Sequence, residues 1–142
     1  MEFLSKAEAA DVLAGRAKDP RARRTHDFSI PADAGARVSL VADFMSRLEG
    51  QKIVVVFSDW SIWPSGERMH LFDRLRASYG ETRNLVDTPV HVFTAEEFED
   101  AVSFVTLGVL FLWDVDVFGK EAVKFSHDEV GHASFNVGQR RM

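Results

Sequence analysis

Cysteine is absent from this chain. That excludes disulfides, thiolate metal sites and cysteine nucleophiles, and it fits a reducing compartment, so a cytoplasmic location is expected. Tyrosine is scarce: one Tyr stands beside twelve Phe and three Trp. Phe has no polar handle, so most of these rings are expected in a core. The most apolar stretch, residues 101–113, carries Ser103 and Thr106 and is too short for a bilayer span, which takes about 20 residues. The opening MEFLSKAEAADVL lacks the basic start and apolar run of a signal peptide. Also missing are a G-x-S-x-G elbow, a glycine-rich phosphate loop, H-E-x-x-H and D-x-D-x-D-G.

What is present suits one globular domain over residues 1–142. The chain is 46% hydrophobic and 27% charged, which rules out a disordered composition. A chain of this length buries roughly two-thirds of its unfolded surface, enough for a core without staples. The net charge of −5 is uneven. Residues 94–130 hold nine acids against Lys120 and Lys124, a balance of −7. Five basic residues against Asp19 lie between Arg16 and Arg24. The acidic half argues against nucleic-acid binding, which needs a basic face. The short basic stretch beside Pro20 reads as a solvated loop.

Residues 1–50 read as a helical extension. Ser5 and Glu8 form a capping-box pattern, with Gly15 as a stop. Residues 16–31 look irregular, punctuated by Pro20 and Pro31. Val38, Val41, Phe44, Met45 and Leu48 then share one helical face before Gly50. The core follows over residues 51–130. KIVVVF, residues 52–57, reads as a strand buried on both faces. A helix from about Gly66 to Tyr79 has Ser65 as its N-cap, an apolar stripe of Met69, Phe72, Leu75 and Tyr79, and Gly80 as its end. PVHVF, residues 89–93, is the next strand. Thr94 and Glu97 form a capping box, with Phe93 and Phe98 as a staple, for a central helix to about Leu112. DVDVF, residues 114–118, alternates as a half-buried strand does. Gly119 and Lys120 turn it toward a partner at residues 123–125. Ser126 with Glu129 opens a short helix, and residues 136–142 are expected to fray. The fold class is therefore α/β, with α+β left open: one mixed sheet of about four strands in β-α-β-α-β-β order.

The string SDWSIWPSGERMHLFDRLRASYG, followed by PVHVF, EDAVSF, a late Trp-Asp and SHDE, resembles a family of small bacterial proteins. In that family a W-x-I-W-P-S turn leads into a HLF-x-RLR-x-SYG helix. The resemblance covers residues 52–129. It implies kinship and carries no assigned activity or catalytic residue.

Four groups of residues are chemically suggestive. The first is the turn after the KIVVVF strand, residues 58–68. Ligands in open α/β sheets bind beyond the strand ends, and the next helix offers free N–H groups. Asp59, Trp60, Trp63, Ser65, Arg68 and His70 are the candidate binding residues, with the two Trp as anchors and Asp59 as a polar contact. Against this, the two Trp would cover the core edge and Asp59 would cap a turn. The second is a Ser/His/Asp set from Ser58 or Ser65, His70, and Asp59 or Asp73. Ser65 and His70 do not share a helix face, and no oxyanion hole is apparent. The third is Asp114, Asp116, His127 and Asp128, with His91, a donor set for a divalent ion that lacks any metal-binding spacing. A solvated strand face is the plainer account, and His91 reads as a hydrogen-bonded strand histidine. The fourth is Arg68, Arg74, Arg76 and Arg83, whose acidic neighbours point to local ion pairs on an exposed helix.

These patterns favour recognition over catalysis. The leading expectation is a non-enzymatic protein-binding module, of the immunity or antitoxin kind, that takes a partner with a basic surface. The alternative is a small-molecule-binding protein or enzyme with its site at residues 58–68. A subunit that dimerises through a Phe-rich surface is a third reading. No catalytic residue, metal or cofactor is assigned, and no nucleic acid or membrane is expected as partner.

Overall fold

A computed structural model describes residues 1–17, 22–58, 66–111, 113–126 and 132–138, with backbone alone at 15–17, 22–29, 66–68, 126 and 132–138. The elements run β1 (Glu2–Leu4), α1 (Ala10–Ala17), β2 (Ala22–Ser29), α2 (Ala34–Met45), β3 (Ile53–Ser58), α3 (Gly66–Ala77), β4 (Val90–Phe93), α4 (Phe98–Leu110), β5 (Asp114–Phe118), β6 (Ala122–Ser126) and β7 (His132–Gly138). Among the described residues the strands form one sheet in the order β1-β4-β3-β5-β6-β7-β2.

The α/β class is as expected, but the sheet is wider and entirely antiparallel. The connection from Ala77 to Val90 returns the chain, so β4 starts beside the end of β3, with Val90 opposite Val56. The first fifty residues are no extension. They supply both edges of the sheet, β1 on β4 and β2 on β7. Linking those edges means crossing about 29 Å, six strand spacings of ~4.8 Å. Helix α1 makes part of that crossing over one face of the sheet.

Strand alternation separates two cores. On the first face, Ile53, Val55 and Phe57 of β3 join Phe93, Val115, Val117, Val123 and Phe125 beneath α2, α3 and α4. This core is aromatic. Phe57 meets Phe72 at 5.1 Å, and Phe104 meets Phe72 at 5.5 Å and Phe93 at 5.4 Å. Each fully buried Phe contributes about 1.5–3 kcal/mol of burial. On the second face, Val54, Val56, Val90 and Val92 pack with Ala9 and, from α1, Val12 and Leu13. The continuous apolar run of β3 thus reflects burial on both sides, as its pattern implied.

Helix ends follow the local chemistry. Glu8 N donates to Ser5 Oγ and Ser5 N to Glu8 Oε1, completing the first capping box. Gly15 falls inside α1 and does not close it. Thr94 N donates to Glu97 Oε1 in the second box, which opens a 3-10 turn leading into α4. Gly50 and Gly80, at φ 83° and 97°, end their helices in the left-handed region. Gly108 serves proximity instead: a Cβ there would stand 2.7 Å from Phe57 Cε1 and 2.8 Å from Val115 Cγ2. Among the described residues, no helix is long and apolar enough to cross a membrane.

Candidate binding surface

Asp59, Trp60, Trp63 and Ser65 lie outside the described residues, as do His127 and Asp128. Arg68 falls in the first turn of α3, with only its backbone described. His70 is exposed on α3, next to Leu71, which is 56% exposed. The described flanks of the two undescribed stretches share one end of the sheet. Ser58 pairs with Asp114, and Ser126 pairs with His132 on the strand beyond. Trp113, fully buried at that end, packs on Phe72 at 5.3 Å and near Phe57 at 6.3 Å.

Within the fold, the expected surface ion pairs of α3 resolve into two different things. Arg83 is exposed and paired with Glu81 (2.6 Å) and Glu8 (2.9 Å), and it also donates to the Phe3 carbonyl. Arg76 is instead completely buried. Its Nε donates to His91 Nε2 (3.1 Å), Nη1 to the Arg83 carbonyl (2.8 Å) and Asp73 Oδ1 (3.3 Å), and Nη2 to the carbonyl and hydroxyl of Thr88. The Phe3 ring lies 5.1 Å from its guanidinium carbon. Burial lowers the Arg76 pKa, and Asp73 pulls it back up. The exposed-helix expectation fails here because the Asp73–Arg76 spacing looks the same whether the arginine faces out or in.

His91 is hydrogen-bonded, as expected of a strand histidine. Because Nε2 accepts from Arg76, the proton is assigned to Nδ1, which has no partner among the described residues. The ring sits 5.0 Å from both Phe3 and Phe57. Burial, reinforced by the Arg76 charge, pulls its pKa down to about 3. The Pro89 backbone opposes this without hydrogen-bond geometry to Nδ1. His91 is therefore a neutral structural acceptor and has no opening to substrate. Asp73, a candidate for the Ser/His/Asp set, is occupied by the Leu85 amide (2.8 Å) as well as by Arg76.

Asp114 and Asp116 share the sheet face opposite the aromatic core, and both are half-buried. Lys124 is the cross-strand neighbour of Asp116. Burial raises the Asp116 pKa, Asp114 pushes the same way, and Lys124 opposes. Among the described residues, no group of three His, Asp or Glu side chains gathers to hold a metal.

Sequence reasoning did not anticipate the remaining feature. Between α2 and α4 runs an open trough of about 300 Å³, lined by Ala42, Ser46, Phe98, Glu99, Val102 and Ser103. Its rim is acidic. Asp43, Glu49, Glu96 and Glu99 are exposed, and none makes an ion pair among the described residues. The Phe rings do not form a surface: the described Phe side chains are buried or partly buried. The acids of residues 96–100 around Phe98 were the available signal, but small Ala and Ser residues look neutral in sequence. No protein-family model, curated protein or solved structure matches the chain.

Proposed function

We propose that this protein is a non-enzymatic binding module for a partner protein with a basic surface, working in the bacterial cytoplasm in the manner of an immunity or antitoxin protein. One observation carries the reading: where acids gather between α2 and α4, part of them stand against the local helix field. Acids at a helix N-terminus are stabilised by the helix dipole, which accounts for Glu96 and Glu99. Asp43 lies in the last turn of α2, and Glu49 follows the 3-10 turn after it. At that end the dipole disfavours a carboxylate; α2 has no basic residue in its last turn, and Arg47 in the 3-10 turn that follows sets one positive charge against the two acids. Folding does not call for these charges, whereas a basic partner would. Complementary charge speeds and selects such an association.

The test uses the immobilised chain and a variant carrying Asp43→Lys, Glu49→Lys, Glu96→Lys and Glu99→Lys. Wild type should retain one stoichiometric basic protein from the native proteome, released by salt and not retained by the variant. Equal retention by the variant would refute the reading.

The second reading is a small-molecule site at residues 58–68. It is favoured by Ser58, Trp113 and Asp114 meeting at one sheet end. A metabolite present at ~100 times its dissociation constant should add about 2.7 kcal/mol of stability. A metabolite screen in which no melting temperature moves would remove this reading.

A further inference from the structure

Helices α2 and α4 run antiparallel. Ser46, just past the end of α2, shares the trough with Phe98 and Glu99 at the start of α4, and Ala42 shares it with Val102 and Ser103. The two helices pack directly on each other because their facing residues are small. On the other side of α4, aromatic rings fill the space toward α3, with Tyr79 and Phe72 both against Phe104. The trough floor is apolar but not sealed: Phe98 and Val102 are partly buried. Val38, one turn before Ala42, is 43% exposed and extends the apolar line along α2. From Val38 to Ser46 is eight helical rises, about 12 Å at 1.5 Å per residue. This length matches two turns of a partner helix.

We infer that the trough seats a basic amphipathic helix of a partner protein, its apolar side chains on Ala42, Phe98 and Val102 and its Lys or Arg residues against Asp43 and Glu99. This rests on the reading of the protein as a module for a basic partner, and it names the surface and the form the partner takes. The occupant follows from charge. Glu99 is part of the lining, Asp43 adjoins Ala42, Glu96 lies one turn before Glu99, and α4 carries no basic residue; Arg47, next to Ser46, sets one positive charge against these three acids and leaves the surroundings acidic. An apolar strip flanked by acids is what helix-in-groove recognition needs from a receptor for a basic helix. The shallow, open form of the trough suits a helix face better than an enclosed metabolite.

The experiment follows amide shifts of the isotope-labelled full chain. Three synthetic probes are titrated: an 18-residue Leu/Lys amphipathic helix, the same peptide with Glu for Lys, and an 18-residue polylysine. The Leu/Lys helix should shift Ala42, Ser46, Val102 and Ser103 and bind at least tenfold more tightly than either control. Ser103→Trp fills the trough without changing charge and should abolish binding. Ser46→Phe, also at an exposed position, serves if Ser103→Trp does not fold. Asp43→Lys with Glu99→Lys should weaken binding at least tenfold with little net change in melting temperature, since Lys at 43 gains at the end of α2 about what Lys at 99 loses at the start of α4. Shifts that map elsewhere, or unchanged binding by the filled variant, overturn the inference. Polylysine binding as well as the helix overturns the inference while leaving the basic-partner reading standing. No binding by either basic probe counts against both. A chain that sediments as a dimer and becomes monomeric with Ser103→Trp holds its own copy in the trough, which also overturns the inference.

Discussion

Arg76 and Glu99 are charged residues on helices that cover the same aromatic core, α3 and α4, and the fold treats them in opposite ways. Arg76 is fully buried, and each of its guanidinium nitrogens has an acceptor inside the chain. Together with Arg83 it ties the 78–89 connection and β1 to the sheet. Glu99 is exposed at the mouth of a trough and pairs with no cation among the described residues. A buried charge without partners would be very costly, so the Arg76 network is a condition of the fold. Glu99 and the exposed acids near the trough are under no such condition, and Asp43 opposes the dipole of its own helix. The contrast separates charge that folding holds inside the chain from charge that folding leaves at the surface, which the proposed partner would use.

Removing Arg76 should have the largest effect. Arg76→Met leaves Thr88, His91 and the Arg83 carbonyl without their donor, and we expect a loss of about 3–5 kcal/mol in chemical denaturation. Arg76→Lys should rescue little, because a single ammonium cannot span the fork of acceptors. A loss below about 1 kcal/mol would erase the distinction between the two regions.

Gly108→Ala tests the inward side of α4. Alanine favours a helix by about 1 kcal/mol over glycine. Here its methyl would press on Phe57 and Val115, and overpacking costs about 1–3 kcal/mol. A net loss of stability is expected, whereas Ser103→Ala on the outward side should gain slightly or change nothing. If both substitutions stabilise, α4 is not pressed on the sheet.

The pH dependence of stability sharpens the comparison further. His91 titrates near 6.5 when unfolded and at about 3 when folded. Between those values the unfolded chain binds a proton that the folded chain refuses. Stability therefore falls as the pH drops through this window, by up to about 1.4 kcal/mol per pH unit. His91→Gln keeps an acceptor for Arg76 and should flatten the slope between pH 6.5 and 5. An unchanged slope would show that His91 is not the group responsible. Asp116 has the opposite sign. Its pKa is raised above 3.8, so ionisation penalises the folded chain as the pH rises through that range. Asp116→Asn should stabilise the protein slightly at pH 7, the smallest of these effects. Destabilisation at pH 7 would mean that the Lys124 pairing outweighs burial.

Much of the fold from residue 52 onward was legible in sequence. The β-branched run of β3, the alternation of β5 and the Thr94–Glu97 capping box are local patterns that the structure keeps, as is the Ser5–Glu8 box before them. Ser126, expected to open a helix with Glu129, instead ends strand β6, with Glu129 outside the described residues. The two sheet edges were not legible. β1 has three residues, too few for a period. β2 reads ARRTHDFS, whose charges suit an exposed edge but hide the strand. β7 alternates at Ala133, Phe135 and Val137, yet of its two partners, β6 and β2, the second lies over a hundred residues earlier. The candidate site was less legible. The expected binding residues Asp59, Trp60, Trp63 and Ser65 fall outside the described residues, and the trough emerges only once α2 and α4 are laid together. Arg76 was misread as a surface ion pair because sequence spacing gives distance along a helix and not the depth of its face.

The central claim is that the acids beside the trough serve a partner beyond anything the helix ends of the fold ask of them. The most direct measurement is paired: the melting temperature of the Asp43→Lys, Glu99→Lys chain, and its affinity for the Leu/Lys helix. The melting temperature should change little, the gain at 43 offsetting the loss at 99, while affinity falls at least tenfold. A chain that loses stability and keeps its affinity would contradict the account.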